Sequence, residues 1–112
     1  MKILAEPIAI EELQTMALKM FGNLVKAVVD IERNVVAIDG ELHVDLAEML
    51  VQQGSKSQNM WGVNIHPDMP EDWLEFDSLI NLKPHMGNKT RGVGDPIIRE
   101  KIITILQPLI LL

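Results

Sequence analysis

Residues 87–96 carry the side chains whose types and spacing best suit chemistry, since three glycines and two cations precede an apolar helix. Glycine lets the backbone turn several N–H groups toward one point, and a helix start adds the positive end of its dipole. Lys89 and Arg91 supply positive side chains. Although the segment matches no phosphate-loop or dinucleotide fingerprint, it predicts that the glycine loop, residues 87–94, binds an anionic small molecule.

Asp77 is an unusual carboxylate because it lies between large apolar residues in the middle of a predicted strand. A buried acid must be paired or hydrogen-bonded. Arg91 is its natural partner, since the guanidinium fork suits a carboxylate and the glycine loop follows the same strand. We interpret the pair either as a clamp on the loop or as part of a charged pocket. Asn81 and Asn88 extend either network.

Glu41, His43 and Asp45 alternate after the second predicted strand. On a strand they would share a face and, with Asp77, hold a divalent metal or carry acid/base chemistry. In a simpler interpretation Asp45 caps the next helix, Glu41 is solvated and His43 fills a turn. We favour the latter, because short acidic clusters with one histidine are common. Neither a metal nor a cofactor is expected.

No nucleophile is evident, because the serines and threonines lack a neighbouring histidine in the sequence. Catalytic residues, and whether the protein is an enzyme, therefore stay open. The candidate ligand-binding residues are Glu41, His43, Asp77, Asn81, Asn88, Lys89 and Arg91.

Hydrophobic periodicity predicts the elements that position these residues. Helices are predicted over residues 8–21 and 44–53 and from Asp95 onward, with strands over 24–31, 35–39, 61–65 and 74–82. The order αββαββα predicts an α+β domain of two layers, with an antiparallel sheet of two hairpins and helices packed on one side. The register of the second hairpin places Asn64 near Glu75 and Gly62 near Asp77.

Composition narrows the classes of function. A chain of 112 residues with 47% hydrophobic residues predicts a single domain over residues 1–112. The absence of cysteine excludes disulfides and thiolate sites and fits a cytoplasmic location. A net charge of −6 without a basic stripe argues against nucleic acid. The start is too short for a signal peptide, and no apolar run reaches membrane length, so we expect a soluble protein without a membrane partner.

The apolar end of the chain supports a second hypothesis. Residues 105–112 are largely aliphatic, and a small domain has few places to bury such a tail. We expect the tail to be buried against the domain or against a second copy. The alternative to ligand binding is thus a non-enzymatic homodimeric interaction module.

Several segments together resemble a known family: residues 40–43, 53–55, 61–64, 75–81 and 87–93. Through them the whole chain resembles a small uncharacterised prokaryotic family that is catalogued only as a domain of unknown function. The resemblance implies a prokaryotic cytosolic protein and brings no activity, cofactor or catalytic residue.

Overall fold

The computed structural model describes residues 1–111, apart from the side chain of Leu111. Its helices are α1 (Ile10–Met20), α2 (His43–Val51) and α3 (Pro96–Leu106). Its strands are β1 (Lys2–Ile3), β2 (Ile8–Ala9), β3 (Val25–Asp30), β4 (Val35–Ile38), β5 (Met60–Ile65), β6 (Leu74–Glu75) and β7 (Ile110–Leu111). Short 3-10 turns span Ser57–Asn59, Leu79–Asn81 and Pro84–Met86. Within residues 1–111, no helix is long and apolar enough to cross a membrane.

Five strands form one antiparallel sheet in the order β1-β4-β3-β5-β6. β3 lies at its centre, so Val28 is opposite Ala37 on one side and Gly62 on the other. The β3–β4 hairpin predicted from the period-two pattern is confirmed. The α+β class and the approximate order of helices and strands are confirmed with it.

Helices cover both faces of the sheet, which corrects the prediction that they pack on one side. α1 and α3 pack on the face that carries Ala27 and Val29, whereas α2 packs on the face that carries Val28. The side chains of Ala27, Val28 and Val29 are all fully buried. Because successive side chains of a strand point to opposite faces, such a strand needs cover on both. α2 provides the second cover through Leu46 and Leu50.

The second hairpin is shorter than predicted. β6 ends at Glu75, and the expected strand gives way to the 3-10 turn Leu79–Asn81. Ser78 explains the change, because its Oγ accepts a hydrogen bond from the amide of Ile80 and caps the turn. The predicted pairing of Asn64 with Glu75 is confirmed.

The C-terminal segment folds back on its own chain. β7 pairs in parallel with β2, where Ile110 lies opposite Ile8 and both are buried. Leu109 is partly buried against the same core. The predicted burial of the tail is thus confirmed for Leu109 and Ile110, against the chain itself. Leu112 and the side chain of Leu111 lie outside the described residues.

Candidate functional site

The side chain of Asn88 holds the glycine loop from inside. Its Nδ2 donates hydrogen bonds to the backbone oxygens of Asn81, Thr90 and Gly92 at 2.7, 3.3 and 2.8 Å. Its Oδ1 accepts one from the amide of Gly94 at 2.9 Å. Asn88, a predicted ligand-binding residue, is therefore occupied in shaping the loop.

Asn81 joins the glycine loop to the sheet. Its side chain accepts a hydrogen bond from the Gly62 amide at 2.8 Å and donates one to the Gly62 oxygen at 2.9 Å. It also donates to the backbone oxygen of Arg91 at 2.9 Å. The sequence places Asp77 near Gly62, and Asn81 makes these contacts instead. Asn81 is fully buried, so its contribution to a site is to position Arg91.

The predicted pair of Asp77 and Arg91 is present, with 2.7 Å between Arg91 Nε and Asp77 Oδ1. It lies at the surface rather than in the core, since the two side chains are 41% and 55% exposed. An exposed pair contributes only about 0–1 kcal/mol to stability. The contact also restricts the orientation of the Arg91 guanidinium. Lys89, the other cation of the loop, is exposed.

The start of α2 carries no side-chain cap among the residues that the structure describes, because Leu42 is its N-cap residue. The prediction that Asp45 caps this helix is wrong, since Asp45 lies in its first turn. The amides of Asp45 and Leu46 donate to the Leu42 oxygen. Those of His43 and Val44 therefore have no partner within the helix. Such an uncapped start favours negative charge.

The start of α3, which the sequence favours as the anion site, is already occupied. Asp95 is its N-cap residue and accepts a hydrogen bond from the Ile97 amide at 2.8 Å. The Asp95 carboxylate thus takes the position of an external anion. Of the two helix starts, that of α2 is the better one for a ligand.

A cavity of about 130 Å³ opens at the start of α2, and we name it the His43 cavity. Its lining residues are Lys26, Leu42, His43, Val44, Ser78, Leu79, Ile80 and Arg91. Of the predicted candidates, His43 and Arg91 lie here, and Asp77 is bound to Arg91. Sequence reasoning missed Lys26 and Ser78. Lys26 could have been found from the sequence, because it interrupts the apolar run of β3. No sequence pattern marks Ser78 as a site residue.

His43 is a buried, neutral histidine at this cavity. Its Nε2 donates a hydrogen bond to the backbone oxygen of Val63 at 2.8 Å. Burial is the main cause that lowers the pKa of His43; the charges of Lys26 and Arg91 also lower it, while the Val63 bond and Asp77 oppose the shift. The ring is therefore neutral at pH 7, and its Nδ1 is a hydrogen-bond acceptor.

Gly62 permits the close packing of the cavity wall. A Cβ at this position would lie 2.5 Å from the Cβ and Oγ of Ser78 and 3.1 Å from Cδ2 of His43. Both side chains therefore lie directly over bare backbone. Close approach, rather than a special backbone conformation, requires glycine here.

Glu41, His43 and Asp45 do not converge. Glu41 and Asp45 are exposed, while His43 is buried against β5. Among residues 1–111, no group of three histidine, aspartate or glutamate side chains is placed to hold a metal ion. The metal alternative for this triplet is therefore not supported, and Glu41 is solvated as the simpler interpretation predicts.

A larger cavity of about 620 Å³ lies between the β3–β4 turn and α3. Its polar side chains include Glu100 and Lys101, whose charges offset each other. It brings together none of the predicted site residues. The His43 cavity is therefore the better candidate site.

Comparisons with known proteins identify a family but no function. The profile of the family described as "Protein of unknown function (DUF5674)" matches residues 2–109. Neither the curated proteins nor the solved structures gave a match.

Proposed function

Since the chain belongs to DUF5674, a family of unknown function, we propose that it binds a small molecule through an anionic group in the His43 cavity. One observation carries this proposal: the uncapped start of α2 meets the cations Lys26 and Arg91 at one small cavity. The glycine loop then contributes Arg91, while its own amides at Gly92 and Gly94 bond within the loop.

The electrostatics of the His43 cavity support an anion. Lys26 is held nearby by a cation–π contact, with its Nζ 4.7 Å from the centre of the Phe21 ring. Lys26 and Arg91 both line the cavity, and the charge of each lowers the pKa of His43. The helix dipole adds positive potential at the same point. Asp77 offsets part of this charge through its bond to Arg91.

The size of the His43 cavity limits what it can hold. Ligand pockets for whole drug-sized molecules measure roughly 300–1,000 Å³, whereas this cavity measures about 130 Å³. Its volume suits a phosphate, sulfate or carboxylate group. The neutral ring of His43 and the hydroxyl of Ser78 add uncharged polar groups to the wall.

Removal of either cation tests the proposal. Lys26→Gln and Arg91→Gln are each expected to weaken binding of sulfate or acetate at least tenfold, because each removes a charge from the cavity. Lys89→Gln is the matched control, since it removes an exposed cation from the same loop and should change the affinity less than twofold. Amide NMR titrations at constant ionic strength measure all three. If wild-type protein shows no saturable shifts in residues 42–44 and 78–91, the proposal fails.

Neutralising Asp77 should have the opposite effect. Asp77→Asn removes the negative charge 2.7 Å from Arg91 Nε. The guanidinium is then free to turn toward a ligand, and the electrostatic potential at the cavity becomes more positive. We expect sulfate to bind about two- to fivefold more tightly. The gain should shrink as salt is raised. An unchanged or weaker affinity would mean that the pair positions Arg91 more than it competes with a ligand.

The histidine gives the binding a pH dependence. The pKa of His43 is lowered from its ordinary value of 6.5, whereas unfolding restores that value. The unfolded chain therefore binds more protons below pH 6.5, and the free energy of unfolding falls as the pH falls through that range.

A bound anion favours the charged form of the His43 ring. Sulfate is thus expected to raise the pKa of His43 and to bind more tightly below pH 6.5.

NMR titration of the His43 ring with and without sulfate measures this shift directly. His85 is exposed, and His85→Gln serves as the control that should leave the pH dependence intact. His43→Gln should abolish it. Identical pKa values for His43 in the presence and absence of saturating sulfate would contradict the expectation.

A further inference from the structure

A second cavity, of about 270 Å³, lies beside the His43 cavity along α2. Its lining residues are Val44, Ala47, Glu48, Val51, Ser57, Met60, Ile80 and Lys83. Val44 and Ile80 line both cavities. The two cavities are therefore adjacent at these side chains, between α2 and residues 78–83, and we name the pair the α2 cleft.

The second part of the α2 cleft is mainly apolar. Val44, Ala47 and Val51 lie on successive turns along one side of α2, and Met60 and Ile80 also line this part. From Val44 to Val51 the helix rises about 10 Å, which is roughly the length of an eight-carbon chain. The cleft thus has one cationic end and one elongated apolar part.

Lys83 lines the second cavity, but its charge is already engaged within the protein. Its Nζ donates hydrogen bonds to the backbone oxygens of Ser57 and Ile80 at 2.9 and 3.0 Å. It also lies 5.0 Å from the centre of the Trp61 ring. The residue is only 5% exposed, and burial lowers its pKa. Since the Glu48 carboxylate also lines the second cavity, this cavity does not favour a second anionic group.

We infer that the ligand is a straight-chain monocarboxylate of about six to eight carbons, a length set by the rise of α2. Its carboxylate binds in the His43 cavity between Lys26 and Arg91, and its tail lies along Val44, Ala47 and Val51. This inference rests on the proposed function and adds the chemical class of the ligand. Charge complementarity fixes the orientation, because the cations Lys26 and Arg91 line the His43 cavity, whereas in the second cavity Lys83 is bonded to backbone oxygens and Glu48 adds a negative charge.

A series of carboxylates tests the inference on the full chain. Dissociation constants for acetate, butyrate, hexanoate and octanoate are measured by amide NMR at constant pH and ionic strength. Burial of a methylene group is worth enough to raise affinity about two- to fourfold per carbon. Octanoate is therefore expected to bind at least tenfold more tightly than butyrate. 1-Octanol, which lacks the carboxylate, should bind at least tenfold more weakly than octanoate.

A variant at an exposed position locates the tail. Val51→Gln places a polar group along the second cavity at a site that is 43% exposed, so the fold should persist, and Val51 is not among the residues that line the His43 cavity. The variant is expected to weaken octanoate at least threefold while acetate affinity stays within twofold. Leu18→Gln, an exposed apolar position on α1, is the matched control and should alter neither.

The outcomes separate the two proposals. If acetate binds in the His43 cavity but octanoate gains less than tenfold over butyrate, the inference about the tail is overturned and the proposed function stands. The inference about the tail is likewise overturned if Leu18→Gln weakens octanoate as much as Val51→Gln does. If no carboxylate and no sulfate shifts the cavity residues, the proposed function itself fails.

Discussion

Replacement of Gly62 by alanine is expected to destabilise the fold by about 2–3 kcal/mol, in the upper part of the range for overpacked cores. The new Cβ would lie 2.5 Å from the Cβ and Oγ of Ser78. Neither partner can move freely, because Gly62 pairs with Val28 in the centre of the sheet and Ser78 donates its amide to the Arg91 oxygen. Relief of the clash would displace the wall of the His43 cavity, so anion binding should weaken as well.

Urea denaturation measures the loss, and Gly92→Ala is its matched control. A Cβ at Gly92 would meet its nearest atoms at 3.5 and 3.6 Å, which are ordinary contacts. Ser78→Gly in the Gly62→Ala background should recover about 1 kcal/mol, because it removes the clashing side chain. A Gly62→Ala variant as stable as Gly92→Ala would contradict the prediction, because it would show that the Ser78 side chain can move aside without a loss of stability.

Replacement of Asn88 by alanine is expected to cost about 2–4 kcal/mol, since several backbone groups lose their partner at once. The Asn81 oxygen, which Asn88 contacts at 2.7 Å, is the most deeply buried of them. Without this side chain the Gly92 oxygen and the Gly94 amide also lose their internal bonds. The glycine loop should then no longer hold Arg91 in place, and sulfate affinity should fall at least tenfold.

Asn23→Ala is the control, because Asn23 is an exposed loop residue. It should change the free energy of unfolding by less than about 0.5 kcal/mol. Hydrogen exchange of residues 87–94 provides a second measurement, in which Asn88→Ala alone should accelerate exchange. If the loop amides keep their protection in that variant, Asn88 does not organise the loop.

Local sequence patterns predicted the secondary-structure elements that depend on residues a few positions apart. The alternating apolar residues of β3 and β4 predict their hairpin, and Asp95 predicts the start of α3. These features depend on neighbours within a few positions, so the sequence is sufficient to find them.

The placement of the helices on the two faces of the sheet depends on contacts between residues distant in the sequence. The sequence therefore did not predict it. The side chains of Ala27, Val28 and Val29 are all apolar, so β3 can accept a helix on either face. The amphipathic pattern of α2 shows which of its own sides is buried but not which face of the sheet it covers. That choice follows from the path of the chain after β4, which brings α2 onto the Val28 face.

The site was only partly predictable for the same reason. The pairing of Asp77 with Arg91 follows from complementary charge and is present. Asn81 and Asn88 were sound candidates as polar residues near a loop, but their side chains bond to the backbone. Lys26 on β3 and Ser78 before the 3-10 turn line the same cavity although they are more than 50 positions apart in the sequence. A single sequence does not reveal that convergence.

The side-chain amide of Asn81 also closes part of an open sheet edge. Among residues 1–111, β6 pairs only with Asn64 and Ile65, so the first half of β5 has no strand on its outer side. An open edge of this kind invites strands from other molecules. Because Asn81 occupies both the N–H and the oxygen of Gly62, an incoming strand finds no free hydrogen-bonding groups there. At Gly62, one buried asparagine thus takes the place of a neighbouring strand.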